Sequence, residues 1–287
     1  MSTMPITGAT RLAALLGSPV EHSQSPFIHN TAFQQLQLPF TYLAFDVPPE
    51  NLKEAVEGLK ALKAIGFNLT MPHKETVIPL LDELSQEAAI IGAVNTVKVE
   101  GERLTGHNTD GKGFLLSLHD VGFSAVGKKA VIAGSGGAAR SVALALAQEK
   151  VDQLVLLNRS LHRAEEIALM LREATPKIKV TVAELNQENM KAELKDAALL
   201  VNSTPLGMDE NSNESIVADA SILKPPLLVY DLLYHPPRTH LMKQAEAQGC
   251  TTLNGLSMLL WQAALAFEIW TGVPMPVEHV KNQFKTL

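Results

Sequence analysis

Short apolar runs that stop at glycine or proline alternate along this chain with longer stretches bearing an apolar stripe. Residues 12–16 form the first such run and break at Gly17-Ser18-Pro19. Residues 40–47 and 64–68 form two more, with an amphipathic helix expected between them over 52–62. Pro26, followed by residues 27–36, predicts a helix with proline in its first turn and Ser25 as N-cap, whereas Ser23 has no comparable structural duty. A further helix is expected to start near Lys74 and run toward residue 84. Residues 95–99 and 104–106 read as a hairpin about a turn at 100–102, and the glycine-bearing segment 111–127 reads as a bridge to a second half. From there strands at 130–133, 153–157, 179–182, 197–201, 227–230 and 251–253 alternate with helical stretches such as 141–147 and 163–171. Strict strand–helix alternation predicts a doubly wound parallel sheet. The last apolar helix, 256–270, is followed by too little chain for a domain of its own, so it is expected to return to the N-terminal half.

Composition narrows the class. A chain of 287 residues that is 46% apolar is natural for two domains with sizeable cores. A formal charge of −6 argues against nucleic acid as a partner. No apolar run reaches bilayer length, and the first residues lack a basic-then-apolar leader. Cys250 is the sole cysteine, so no internal disulfide is expected and a reducing, cytoplasmic setting is the simplest reading. No metal site is expected, and residues 209–213 read as a polar surface loop.

Candidate chemistry begins at Gly134, Ser135, Gly136, Gly137 and Ala138, which lie between an apolar strand and a helix. That context is what a dinucleotide fingerprint requires: glycines for a tight turn and close backbone approach, then helix N–H groups facing a pyrophosphate. The next strand ends in Asn158, Arg159 and Ser160 rather than in the acid that holds a ribose 2′-hydroxyl, and Arg163 follows. Two guanidiniums there suit a 2′-phosphate and favour NADP over NAD, although both could be ordinary surface charges on a helix capped by Ser160.

The first half carries polar clusters at strand ends, the usual place for α/β ligand sites. They are Glu21-His22-Ser23-Gln24-Ser25-Pro26, Asn68-Leu69-Thr70-Met71-Pro72-His73-Lys74 and His107-Asn108-Thr109-Asp110-Gly111. A lysine in the first turn of a helix stands at the unfavourable end of the dipole, which points to a use for Lys74. Gln262 sits inside the apolar final helix, and its amide needs either backbone partners or a ligand hydroxyl; the helix alone leaves both open.

Together these segments resemble the shikimate dehydrogenase family over nearly the whole chain. The resemblance rests on the S-x-S-P at residues 23–26, the N-L-T-M-P-H-K at 68–74, Gly92-Ala93-Val94-Asn95-Thr96 and Asn108-Thr109-Asp110-Gly111. The glycine turn, the N-R-S at 158–160, residues 230–234 and Gln262 complete it. It implies an N-terminal α/β substrate domain, residues 1–110 completed by 256–287, and a Rossmann NADP-binding domain at 111–255. It also implies that Ser23 and Ser25, helped by Tyr234, hold the substrate carboxylate, and that Lys74 and Asp110 meet the hydroxyl that is oxidised. Thr70, Asn95 and Gln262 would fix the other hydroxyls. The glycine turn would take the pyrophosphate, Asn158, Arg159, Ser160 and Arg163 the 2′-phosphate, and Thr204, Leu206, Met208, Leu232 and Gly255 the nicotinamide.

The activity so implied is reversible, NADP-dependent reduction of 3-dehydroshikimate to shikimate, a step toward chorismate and the aromatic amino acids, by a monomer or homodimer that closes on its substrate. Lys74 would take and return the hydroxyl proton. Thr70 and Ser160 fit the shikimate- and NADP-specific pattern, whereas Leu259-Leu260-Trp261-Gln262 and the length resemble the dual-substrate quinate type that uses NAD. A regulator that binds dinucleotide without catalysis is the alternative from another class, but it has no need of a Lys74–Asp110 pair; a folate dehydrogenase-type enzyme has no need of the Ser23 and Ser25 site.

Overall fold

The computed structural model describes residues 5–209 and 213–284. Two compact units divide the chain, Met1–Thr109 with Leu260–Leu287 and Asp110–Leu259.

The first unit runs β1 (Arg11–Gly17), α1 (Ser25–Gln35), β2 (Phe40–Asp46), α2 (Leu52–Ala61), β3 (Gly66–Leu69), α3 (His73–Thr76), β4 (Glu83–Leu84), α4 (Gln86–Ile91), β5 (Thr96–Glu100) and β6 (Arg103–His107). Its sheet has the order β2-β1-β3-β5-β6-β4. The strands β1, β2 and β3 are parallel, while β5 is antiparallel to both β3 and β6. The apolar stripe of α2 places Leu52, Val56 and Leu59 in one core with Leu16, Phe67 and Val97.

Three expectations for this unit are corrected. Ser25 lies inside the first turn of α1; Gln24 occupies the N-cap without a side-chain bond. Ser23 does have a structural duty, because its Oγ accepts the Ser25 N–H at 3.2 Å. The helix expected from Lys74 to residue 84 stops at Thr76, since Pro79 in the next turn can neither donate to nor pack within a continuing helix. Residues 83–84 instead form an edge strand beside β6.

The second unit begins with α5 (Asp110–His119) and continues β7 (Lys129–Ala133), α6 (Gly137–Gln148), β8 (Gln153–Asn158), α7 (Leu161–Ala174), β9 (Lys179–Glu184), α8 (Gln187–Glu193), β10 (Leu199–Asn202), β11 (Leu228–Asp231), α9 (His240–Ala247) and β12 (Thr251–Asn254). Every strand pair is parallel, in the order β12-β11-β10-β7-β8-β9, as the alternating pattern predicts. The four inner strands β7, β8, β10 and β11 are buried along both faces, which is why they read as unbroken apolar runs. The bridge expected over 111–127 is mostly the helix α5. Its glycine at 111 serves packing, since a Cβ there would stand 2.5 Å from the Ser141 carbonyl oxygen on α6. Residues 210–212 of the expected polar loop lie outside the described residues.

The chain then enters α10 (Gly255–Thr271) and α11 (Val277–Phe284). From Leu260 on, these residues group with the first unit. There the Trp270 indole N–H donates to the Val97 carbonyl at 3.0 Å, and the ring lies over Gly66, where a Cβ would stand 2.2 Å from Nε1. Among the described residues, no helix is long and apolar enough to cross a membrane.

Candidate active site

The register of the first sheet gathers residues far apart in sequence along one edge. Leu16 pairs with Leu69, Asn68 with Thr96 and Thr96 with His107, so β1, β3 and β6 end where β5 begins. Ser23 and Ser25 follow β1, Thr70 and Lys74 follow β3, Asn95 precedes β5, and Thr109 and Asp110 follow β6. The edge is packed closely: a Cβ at Gly17 would stand 2.2 Å from the Thr70 methyl.

A buried polar network stiffens this edge. Asn95 is 2% exposed. Its Nδ2 donates to Thr109 Oγ1 at 2.9 Å and Gln262 Oε1 at 3.2 Å, and its Oδ1 accepts the Thr109 N–H at 2.9 Å and the Thr96 hydroxyl at 3.0 Å. The two readings of Gln262 thus meet in a third arrangement, a side-chain partner on another element. Asn68 extends the network, donating to Thr96 Oγ1 and the Asn95 carbonyl, both at 3.0 Å, and accepting the Tyr42 hydroxyl at 2.8 Å. Burial raises the Tyr42 pKa, and the nearby Ser25 hydroxyl works against that rise. Tyr42 stacks on His29 with ring centroids 4.4 Å apart. Full burial pushes the His29 pKa down to about 3, so that ring is neutral.

Lys74 is half-buried, and its carbonyl accepts the Val94 N–H at 2.7 Å. Because α3 is a single turn, the dipole argument for Lys74 carries little weight. Asp110 is 5% exposed and opens α5, the end of a helix that favours a carboxylate. It follows directly on Thr109, which Asn95 pins through both backbone and side chain.

In the second unit the glycine turn has the geometry its sequence predicts. Gly134 takes φ +108°, its N–H donates to the Leu157 carbonyl at 2.8 Å, and a Cβ there would stand 2.5 Å from Ser203 Oγ. At Gly136 and Gly137 an added Cβ meets nothing within 4 Å. No side chain caps α6, so its first N–H groups face open space of the kind a pyrophosphate needs. Ser135 and Ala138 flank that space, half-exposed. The strand β8 ends at Asn158, whose Nδ2 donates to the Ser160 carbonyl at 2.9 Å. Arg159 and Arg163 are exposed beyond it. Ser160 occupies the N-cap of α7, but its side chain makes no capping bond. The residues present therefore fit a dinucleotide with a further anionic group on its ribose.

At the ends of β10 and β11, Thr204 is held by its N–H and hydroxyl to Asn202 Oδ1, at 3.0 and 2.7 Å, and Leu206 N–H donates to Thr204 Oγ1 at 3.3 Å. Met208 stands exposed after Gly207 at φ +95°. The Leu232 N–H donates to the Asn202 carbonyl at 2.9 Å. Gly255 abuts it, with a Cβ position 2.0 Å from the Leu232 oxygen. Burial raises the pKa of Tyr234. No group of three metal-ligating side chains occurs among the described residues.

Sequence reasoning passed over Tyr42 in the first unit and Thr239 in the second, and assigned no individual role to Asn68, Thr96, Thr109, Asn202 or Asp231. The one available signal was a polar residue at the end of an otherwise apolar strand, as at Asn202 and Asp231, or one place before it, as at Asn68.

Comparison with known proteins places the chain among shikimate dehydrogenases. Residues 15–97 match the model described as the shikimate dehydrogenase substrate-binding domain, 118–229 that of shikimate / quinate 5-dehydrogenase, and 255–283 that of the shikimate 5'-dehydrogenase C-terminal domain. The chain is 49% identical over 277 residues to the shikimate dehydrogenase (NADP(+)) of Alkaliphilus metalliredigens, covering 96% of this chain and 97% of that one. It superposes with a TM-score of 0.93 on shikimate 5-dehydrogenase of Listeria monocytogenes, solved with shikimate and NAD, at 39% identity over 99% of both chains. The enzyme of Thermus thermophilus, solved with NADP(H) and shikimate, gives 0.86 at 35% identity over 96% of this chain and 99% of that one.

Proposed function

This chain belongs to the shikimate dehydrogenase family, and on that premise we propose that it interconverts shikimate and 3-dehydroshikimate with NADP. The observation that carries the reading is the single sheet edge on which Ser23, Ser25, Thr70, Lys74 and Asn95 converge, with Gln262 tied to it through Asn95. Substrate recognition is assigned to residues 1–110 with 256–287, and NADP to 111–255. Ser23 and Ser25 donate to the substrate carboxylate, with Tyr234 assisting. Thr70, Asn95 and Gln262 hold ring hydroxyls. Lys74 takes the proton of the reacting hydroxyl during oxidation and returns it during reduction, and Asp110 accepts a hydrogen bond that orients the pair. Bound NADP supplies the hydride acceptor or donor. Gly134, Ser135, Gly136, Gly137 and Ala138 face its pyrophosphate. Arg159 and Arg163, with Asn158 and Ser160, hold the 2′-phosphate. Thr204, Leu206, Met208, Leu232 and Gly255 line the nicotinamide.

Shikimate is favoured over quinate by Thr70 at its place after β3. A second reading, use of NAD, is supported by the NAD-bound relative from Listeria monocytogenes. The enzyme is further proposed to act in the cytoplasm as a monomer or homodimer. The assay is NADPH absorbance on mixing NADP and shikimate with the native protein and Lys74→Met. Loss of turnover by at least about a hundredfold, with NADP binding intact, is expected of a proton-transfer residue. A Lys74→Met enzyme within threefold of the native rate removes that role.

A further inference from the structure

Asp231 is a wholly buried carboxylate that the assignments above leave unused. It ends β11 and is the direct register partner of Asn202 at the end of β10. Its Oδ1 accepts Asn202 Nδ2 at 3.0 Å and the Leu233 N–H at 3.2 Å, and its Oδ2 accepts the Thr239 hydroxyl at 2.7 Å. All three donors are neutral. Asn202 turns the other way as well, accepting both polar hydrogens of Thr204 on Oδ1 and the Leu232 N–H on its carbonyl. Two side chains on adjacent strand ends thus hold the segment after β10 and the segment after β11.

That tethering needs acceptors, and a neutral amide at 231 could supply most of them. Burying a carboxylate instead is unfavourable. Desolvation accordingly pushes its carboxyl above the usual range, while its three hydrogen bonds oppose that shift. The strand order reverses between β10 and β7, and ligands of doubly wound sheets sit in the crevice beyond such a reversal. A nicotinamide there is positively charged when oxidised and neutral when reduced.

We propose that Asp231 is a positioning residue of the nicotinamide pocket. With Asn202 it sets the course of both lining segments, and its buried charge favours the oxidised cofactor over the reduced one. The inference rests on reading the second unit as the NADP site.

The test is calorimetric measurement of the dissociation constants of NADP+ and NADPH, without substrate, for four proteins: native, Asp231→Asn, Asn202→Ala, and the exchange Asn202→Asp with Asp231→Asn. Asp231→Asn is expected to weaken NADP+ about tenfold more than NADPH, the order expected of one partly screened unit charge. Asn202→Ala keeps the charge but loosens both segments, so both forms weaken together. The exchange returns a carboxylate to the paired position and is expected to restore most of the native ratio; it remains readable if Asp231→Asn alone does not fold. Equal weakening of the two forms in Asp231→Asn, or an exchange variant whose ratio stays low, overturns the proposal. A native protein that binds neither form overturns the NADP reading itself, a result distinct from both.

Discussion

Replacing Tyr42 with phenylalanine removes one oxygen from the interior of the first unit, and its consequence can be worked out from the network. The ring is wholly buried, and its hydroxyl donates to Asn68 Oδ1 at 2.8 Å. Asn68 cannot turn to replace that donor, because its Nδ2 is committed to the Asn95 carbonyl and to Thr96 Oγ1. The substitution therefore strands a buried amide oxygen, at a cost of about 1–3 kcal/mol. For a chain of this size that lowers the melting temperature by about 2–5 °C. Asn68 also anchors Asn95 and Thr96, so loosening it raises the KM for shikimate several-fold while the dissociation constant for NADP, bound by other residues, stays put. Calorimetry and steady-state kinetics on Tyr42→Phe read both quantities. A melting temperature within about 1 °C of native would refute the reasoning that Asn68 depends on this hydroxyl. So would equal changes in shikimate and NADP binding.

Two further outcomes follow from the same geometry. The folded pKa of His29 lies near 3 against 6.5 unfolded, so stability is full above pH 6.5 and falls as the pH drops toward 3. The slope contributed by this one group is about 1.4 kcal/mol per pH unit. Both ring nitrogens of His29 lack a hydrogen-bond partner. His29→Phe is therefore expected to be near-neutral at pH 7 and to flatten the loss of urea resistance between pH 6.5 and 4; an unchanged slope contradicts the assignment. Gly134→Ala places a side chain at φ +108° and against Ser203 Oγ, and is expected to weaken NADP at least tenfold with about 1–3 kcal/mol of strain. Undiminished NADP affinity with an intact circular dichroism spectrum would show that the turn tolerates a side chain.

The second unit was the more legible half, because a parallel sheet covered on both faces announces itself as apolar runs at regular spacing, and the turn at Gly134 needs its residue type for a local reason. Helix ends and long-range contacts were less so. Residues 111–127 look like a linker because of their glycines, yet Gly111 is there to admit the backbone of Ser141. Pro79 breaks the helix that the pattern after Lys74 predicts. Above all, the network that joins Tyr42, Asn68, Thr96, Asn95, Thr109 and Gln262 spans partners up to 167 residues apart, and no local pattern encodes such pairings. The motif residues could be named one by one in the sequence. That Asn95 holds Gln262 and Thr109 together is a property of the register.

The most direct test of the account is the ratio of kcat/KM for shikimate oxidation with NADP to that with NAD. Arg159 and Arg163, with no acid at the end of β8, predict that NADP is preferred by at least about tenfold and that Arg159→Ala erodes the preference. A ratio of one or below, in an enzyme that turns shikimate over, would contradict the cofactor assignment while leaving the substrate half standing.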